Sequence, residues 1–135
     1  MLSDESRILA GILLLALVTV ETGGLYLLKV VRGRVEVTPF QEGFARAGHA
    51  HAGVLLLLAL LCQLFADATA QTGVLDWLSR SGVAVAALLM PGGFFFSSMG
   101  RGRSQPNAVI AMVFAGAAVL ALGLASLGVG LLTAG

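Results

Sequence analysis

Four long apolar stretches alternate with short polar connections along the chain. They cover residues 7–31, 39–66, 82–99 and 107–132. Each is close to the roughly 20 apolar residues that a helix needs to cross a bilayer. Backbone groups in lipid must be paired within their own segment, so the pattern predicts helices. We therefore expect an all-α protein, a bundle of four transmembrane helices that forms a single membrane domain over residues 1–135.

Local signals mark how these stretches begin and where they are interrupted. Thr38 followed by Pro39 is typical of a helix start, because proline is favoured at the first helical position. The sequence Met90-Pro91-Gly92-Gly93 predicts a kink or break in the third helix. The connections are expected at residues 32–38, 67–81 and 100–106.

Composition supports a membrane protein. Of the 135 residues, 58% are hydrophobic and only 11% are charged, whereas about a quarter are charged in soluble domains. A chain this short cannot bury so much apolar surface in one core, so we expect the lipid bilayer to cover it. The net charge of +1 gives no basic field, and nucleic-acid binding is not expected.

The distribution of basic residues predicts the orientation. Six lie in or beside the first and third connections and two lie at the opposite side of the predicted bundle. Basic residues favour the cytoplasmic side. We therefore expect a multi-pass protein of the cell (inner) membrane, with both termini outside and residues 32–38 and 100–106 in the cytoplasm. The six are Lys29, Arg32, Arg34, Arg46, Arg101 and Arg103, and the two are Arg7 and Arg80.

Three ionisable residues fall at membrane depth, which makes them candidate functional residues. Glu21 lies roughly 12 Å below Lys29 along its helix, and His49 and His51 lie roughly 5–8 Å below Arg46. These depths allow a Glu–His contact between neighbouring helices in the cytoplasmic half, and the outer half offers almost no polar groups. Ser97, Ser98 and Asn107 are expected in that same cytoplasmic half.

Each of the three also has a simpler interpretation. Glu21 protonated and hydrogen-bonded within the bundle would serve packing alone. His49 lies near enough to the headgroups to be solvated there, and the deeper His51 is the better candidate for a buried contact. On a helix, positions two apart point about 200° away from each other. One metal ion therefore cannot easily take both imidazoles, and we expect the two histidines to contact different partners.

The stretch 45-ARAGHAHAGVLLLLAL-60 resembles the haem-ligating helix of the haem–copper oxidase catalytic subunit and the histidine-bearing helices of several small bacterial membrane families. The resemblance implies that His49 and His51 are axial ligands of haem, or bind a transition metal ion, with Glu21 beside them. The oxidases place further histidines on other helices, and this chain has none. A second subunit or a methionine such as Met99 would have to complete the ligand set, and Phe94, Phe95 and Phe96 could line a haem pocket.

Small residues recur at helical spacing in the fourth stretch. Such a stripe lets another backbone approach closely. It predicts either packing within the bundle or an interface with a further chain, so the protein is expected to be a homo-oligomer or to bind a partner membrane subunit. The residues are Ala117, Ala121, Ala125 and Gly128.

Three functions follow from these features. The first is a membrane-embedded haem or metal site formed by His49, His51 and Glu21. The second is a small oligomeric transporter or channel coupled to protons or cations, with the Pro91-Gly92-Gly93 break lining the path. The third is an accessory subunit of a larger membrane complex. No motif of a soluble enzyme occurs in the sequence, whereas a membrane enzyme using Glu21 and His51 as acid and base stays open.

Overall fold

The computed structural model describes residues 1–134, which form four long helices. All four are long and apolar enough to cross a membrane, and no strand occurs in residues 1–134. The predicted all-α bundle of four transmembrane helices is confirmed. The helices are α1, Asp4–Val31; α2, Pro39–Ala66; α3, Gly73–Ser98; and α4, Ala111–Thr133, which a short 3-10 helix, Ala108–Ile110, precedes.

Side-chain caps set the starts of α1 and α2. The Ser3 hydroxyl accepts a hydrogen bond from the Ser6 backbone N–H. Thr38 and Gln41 form a reciprocal capping box, in which each side chain binds the other residue's backbone N–H. Pro39 occupies the first helical position after Thr38, as predicted.

Helix α3 differs from the prediction at its start and at Pro91. It begins at Gly73 rather than at residue 82, so the connection that we expected over residues 67–81 is only a short turn. Of the predicted kink or break at Pro91, the break does not occur, because the helix continues through Pro91 to Ser98. Proline is tolerated inside transmembrane helices because neighbouring helices and local adjustments satisfy the freed backbone groups, and Pro91 is buried in the bundle.

The helices run antiparallel in the order α1, α2, α3, α4. Helices α2 and α3 form the centre, α1 packs mainly on α2, and α4 packs mainly on α3. We call the two ends of the bundle the terminal end, which holds both termini and the turn at 67–72, and the loop end, which holds the other two connections. Hydrogen bonds tie each end: Ser3 to Asp67 and Gln71 to Ser126 at the terminal end, Thr38 to Arg103 and Asn107 to Ser97 at the loop end.

Glycine brings α3 and α4 into close contact. A β-carbon added at Gly82 would lie 2.9 Å from Gly123 Cα, so the two backbones touch. The side of α4 that packs on α3 carries Gly116, Gly123 and Gly130, seven residues apart and all buried. The predicted stripe lies elsewhere: its three alanines are exposed, and nothing lies within 4 Å of a β-carbon added at Gly128.

The contact between Gly82 and Gly123 predicts a difference between two glycine substitutions. Gly82→Ala places a methyl group against backbone atoms, so we expect it to lower the free energy of unfolding by about 1–3 kcal/mol. Gly128→Ala fills open space on α4 and should leave stability unchanged or raise it by about 0.5–1 kcal/mol. Thermal unfolding of both variants in detergent, followed by circular dichroism, checks this. Equal melting temperatures would contradict the packing of α3 on α4.

Candidate functional site

His49 lies between α2 and α1. Its ring covers the glycine pair of α1, because a β-carbon added at Gly23 would lie 3.1 Å from His49 Nδ1 and one at Gly24 would lie 3.5 Å from His49 Cε1. The two glycines thus make room for the imidazole, which is half-buried. His49 is therefore in the helix interface and is not solvated freely at the headgroups.

His51 lies on the other side of α2. Its Nδ1 is 2.7 Å from the Ala47 carbonyl oxygen one turn earlier, and its ring centroid is 5.0 Å from that of Phe94 on α3. The two imidazoles contact different neighbouring helices, as their spacing predicts. Beside His51 is an open groove of about 180 Å³ lined by Ala50, Val54 and Leu55.

Glu21 lies on the exposed side of α1. It has no hydrogen bond or ion pair with any other side chain of residues 1–134. Ten residues, roughly 15 Å, separate it from the end of α1 at Val31. The expected Glu–His contact is not formed within the chain, because His49 packs on the neighbouring glycines and Glu21 points away from the bundle.

Met99 ends α3 and lines a cavity of about 530 Å³ at the loop end. The cavity separates α1 from α3, and Thr22, Gly23 and Tyr26 form its α1 wall. Met99 therefore lies on the His49 side of α2, away from the groove beside His51. Within the described residues, no three His, Cys, Asp or Glu side chains come together as a metal-binding group.

The other polar residues expected in the same half are engaged in local hydrogen bonds. Ser97 and Ser98 are buried, and their hydroxyls donate to the carbonyls of Phe94 and Phe95 in their own helix. Asn107 caps the 3-10 helix, and its side-chain amide donates to the Phe96 carbonyl. Their hydrogen-bonding groups are therefore used locally at the loop end and are not available to a functional site.

An extensive, partly buried polar network lies at the terminal end, contrary to our expectation that this half offers almost no polar groups. At its centre the Arg80 side chain, 15% exposed, contacts two carboxylates. Arg80 Nε donates to both oxygens of Asp76, at 2.9 and 3.1 Å, and Nη1 donates to Asp67 Oδ1. The hydroxyls of Ser3, which caps α1, and of Ser6, in its first turn, complete the network.

Asp67 joins α1 to α2 and α3 in this network. Its carboxylate accepts hydrogen bonds from the Ser3 backbone N–H at 2.8 Å, the Ser3 hydroxyl at 2.9 Å and the Ser6 hydroxyl at 3.0 Å. Burial opposes ionisation of this carboxyl group, but the hydrogen bonds from Arg80, Ser3 and Ser6 outweigh it and hold the pKa of Asp67 well below its usual range.

Gln63, at the same end, has a side-chain atom without a hydrogen-bond partner. Its side chain is 1% exposed, and its amide nitrogen donates to the carbonyls of Ala59 and Arg80. Because both of these partners are acceptors, they fix the amide orientation and leave Oε1 without a donor. Gln63, Arg80 and Asp76 line a cavity of about 450 Å³ between α1 and α3.

A second network at this end joins α4 to the turn and to α3. Gln71 donates to the Ser126 carbonyl and accepts from the Ser79 hydroxyl, which is 3.1 Å from the Ser126 hydroxyl. All its contacts are between neighbouring segments of the fold, and we assign it to packing.

The sequence did not predict the terminal-end network, because Asp76 and Arg80 fall within the connection that we expected over residues 67–81. Once α3 begins at Gly73, both lie on the helix one turn apart, with Arg80 roughly 10 Å along it. The spacing of Asp76 and Arg80, i and i+4, was the signal that a helix already covers this segment. The chain matches no protein-family model, no curated protein and no solved structure.

The lowered pKa of Asp67 predicts how stability depends on pH. The contribution of its ionised form is complete above the unfolded-state pKa of about 3.9 and is lost as pH falls towards the lower folded-state pKa. At neutral pH we expect Asp67→Asn to lower the free energy of unfolding by about 1–3 kcal/mol.

Thermal unfolding in detergent between pH 7 and pH 3 measures this effect. The difference between Asp67→Asn and the original protein should shrink below about pH 4. Asp4→Asn is the control, because Asp4 forms only an exposed pair with Arg7 and should change stability little. A difference for Asp67→Asn that stays constant down to pH 3 would contradict the assignment.

Proposed function

We propose that the protein is a homo-oligomer that carries protons or cations through the membrane, with Glu21 as the binding group. The observation that carries this proposal is the position of Glu21, exposed within an apolar span. An ionisable side chain in lipid costs several kcal/mol unless it is paired or neutralised. Since residues 1–134 supply no partner, a second chain or a bound ion is the natural source of compensation.

The exposed surface of α1 supports a second copy as that source. Glu21 belongs to a stripe in which residues alternate three and four positions apart, the spacing of a helix–helix seam. Every member is exposed, and only Glu21 is ionisable. We call this stripe the α1 seam; it comprises Gly11, Leu14, Val18, Glu21, Leu25 and Leu28.

Packing α1 seams from several copies around an axis would bring their Glu21 side chains together. Carboxylates at close range repel one another, and a proton or cation bound between them would relieve that repulsion. A single polar residue in an otherwise apolar seam also fixes the register of the helices. Protonation of Glu21 would thus alter both the charge of the seam and the contact between subunits.

The cavity at the loop end lies beside this stretch of α1, on the side that faces the bundle. Its walls include Thr22 and Gly23, next to Glu21 in sequence, and it reaches Gln41 and Gly100 at the end of the bundle. Because α3 continues through Pro91, the path that we propose follows α1 and does not depend on a broken helix in α3.

Ion flux into liposomes tests the role of Glu21. With an imposed membrane potential, we expect Glu21→Gln to reduce proton or cation flux at least tenfold, because the amide cannot release a proton or offer a charged ligand. Glu36→Gln is the matched control, since Glu36 is exposed in the connection between α1 and α2. Equal flux through the original protein and Glu21→Gln, or a monomer by light scattering, would overturn the proposal.

Binding of haem or a transition metal by His51 is the second candidate. The observation that favours it is the contact of His51 Nδ1 with the Ala47 carbonyl. In metal-binding histidines such a contact orients the ring and leaves Nε2 for the metal. His49 and Met99 lie on the other side of α2, so neither fits as a second ligand to the same centre, and that ligand would come from another chain.

An absorption spectrum and metal analysis of the purified protein test this second candidate. If His51 binds haem, we expect a Soret band that is lost in His51→Ala and kept in His49→Ala, whose ring faces α1. If it binds a metal ion, stoichiometric metal should follow the same pattern. A spectrum without a Soret band together with no stoichiometric metal would contradict this role for His51.

A further inference from the structure

The cavity at the terminal end combines an unsatisfied acceptor with an excess of negative charge. Gln63 lines it, is 1% exposed, and has an Oε1 atom with no donor. Leaving a buried acceptor unpaired is energetically costly. A ligand that brings an N–H donor to this acceptor would recover that cost, so Gln63 indicates a donor and not an acceptor as the missing group.

Charges around the cavity select a cationic donor. Arg80 is shared between Asp67 and Asp76, and Glu5 Oε2 lies 3.9 Å from Arg80 Nε. The three carboxylates exceed the one guanidinium by two negative charges, and two of the three, Glu5 and Asp76, line the crevice together with Arg80. Glu5 is 79% exposed, so its carboxylate is accessible to a ligand that enters from the surface.

The remaining walls of the cavity suit an apolar chain. Ile8 and Ile12 line it from α1 and Trp77 from α3, and all three side chains are more than half exposed. Helices α1 and α3 make little direct contact with each other, so the cavity is an open crevice of about 450 Å³ between them. An amphiphile can therefore place its polar group at Gln63 and its chain along the two isoleucines.

We propose that this crevice binds an amphiphile with a primary ammonium group, which donates to Gln63 Oε1 and pairs with the carboxylates of Glu5 and Asp76. The ammonium supplies both the missing N–H donor and the missing positive charge. The apolar chain replaces lipid or water along Ile8, Ile12 and Trp77. This inference does not depend on transport through Glu21, which lies on a different side of α1 and closer to the loop end.

Two sources carry this chemistry, an aminophospholipid of the bilayer and a free long-chain amine. Trp77 is the only tryptophan of the chain and lines the crevice, so its fluorescence reports occupancy directly. Protein in an amine-free maltoside detergent would be titrated with dodecylamine. Dodecanol and ethylamine serve as probes that lack the charge and the chain, respectively.

We expect saturable quenching or shift of Trp77 emission with dodecylamine and at least tenfold weaker effects with dodecanol and ethylamine. Gln63→Met, which keeps the volume and removes the acceptor, should weaken dodecylamine binding about tenfold. Glu5→Gln should weaken it severalfold and leave the fold intact, because Glu5 is largely exposed. Asp4→Asn is the matched control, one residue earlier and outside the crevice, and should bind as the original protein does.

Competition in nanodiscs separates the two sources. If phosphatidylethanolamine displaces dodecylamine and phosphatidylglycerol does not, the ligand is an aminophospholipid; if neither lipid competes, it is a free amine. No saturable response to dodecylamine would overturn the proposal. So would equal responses to dodecanol, or equal weakening by Asp4→Asn and Glu5→Gln. The Glu5 variant keeps the test valid even where Gln63→Met unfolds.

Discussion

The ion pairs of Arg80 are the interaction on which the terminal end of this bundle depends. A guanidinium roughly 10 Å along a membrane-spanning helix is tolerated only if its charge is compensated. Asp76 supplies one carboxylate from the same helix, and Asp67 supplies another from the end of α2. Ser3 and Ser6 donate hydrogen bonds to the Asp67 carboxylate as well. The pairing of Asp67 with Arg80 therefore holds α1, α2 and α3 together. At the loop end, uncharged capping side chains and backbone hydrogen bonds hold the helices together.

The packing order of the helices explains why α1 and α4 are so exposed. Helices α2 and α3 bury the core, whereas α1 and α4 each pack mainly on one neighbour. In lipid this exposure is not costly for leucine or valine, since lipid chains are as apolar as those side chains. It is costly for a carboxylate. The exposed position of Glu21 is thus a consequence of the order of the helices, which leaves α1 at the edge and its ionisable side chain outside.

The sequence was sufficient to predict four helices, because long apolar stretches in lipid must pair their own backbone groups. It also predicted the divergence of the two histidines, because positions two apart on a helix point in different directions. It was not sufficient to predict which faces are inside. Glu21 and His49 fall at compatible depths, yet the rotation of α1 turns Glu21 outward and puts Gly23 against the imidazole. Arg80 was expected in the connection over residues 67–81, whereas its pairing with Asp67 at the end of α2 allows the charge to lie within α3. Tertiary contacts decided both cases.

The two halves of the bundle differ in how far the chain satisfies its own polar groups. At the terminal end, four polar side chains are hydrogen-bonded to Arg80, and among the buried side-chain polar atoms of residues 1–134 only Gln63 Oε1 lacks a partner. In the other half, Glu21 has no partner at all within residues 1–134. An acceptor inside a crevice that lacks one donor can be satisfied by a small polar group. An ionisable side chain on an exposed helix face can be compensated by the surface of another chain. The ligand that we propose therefore belongs to the terminal end, and the second chain that we propose belongs to α1.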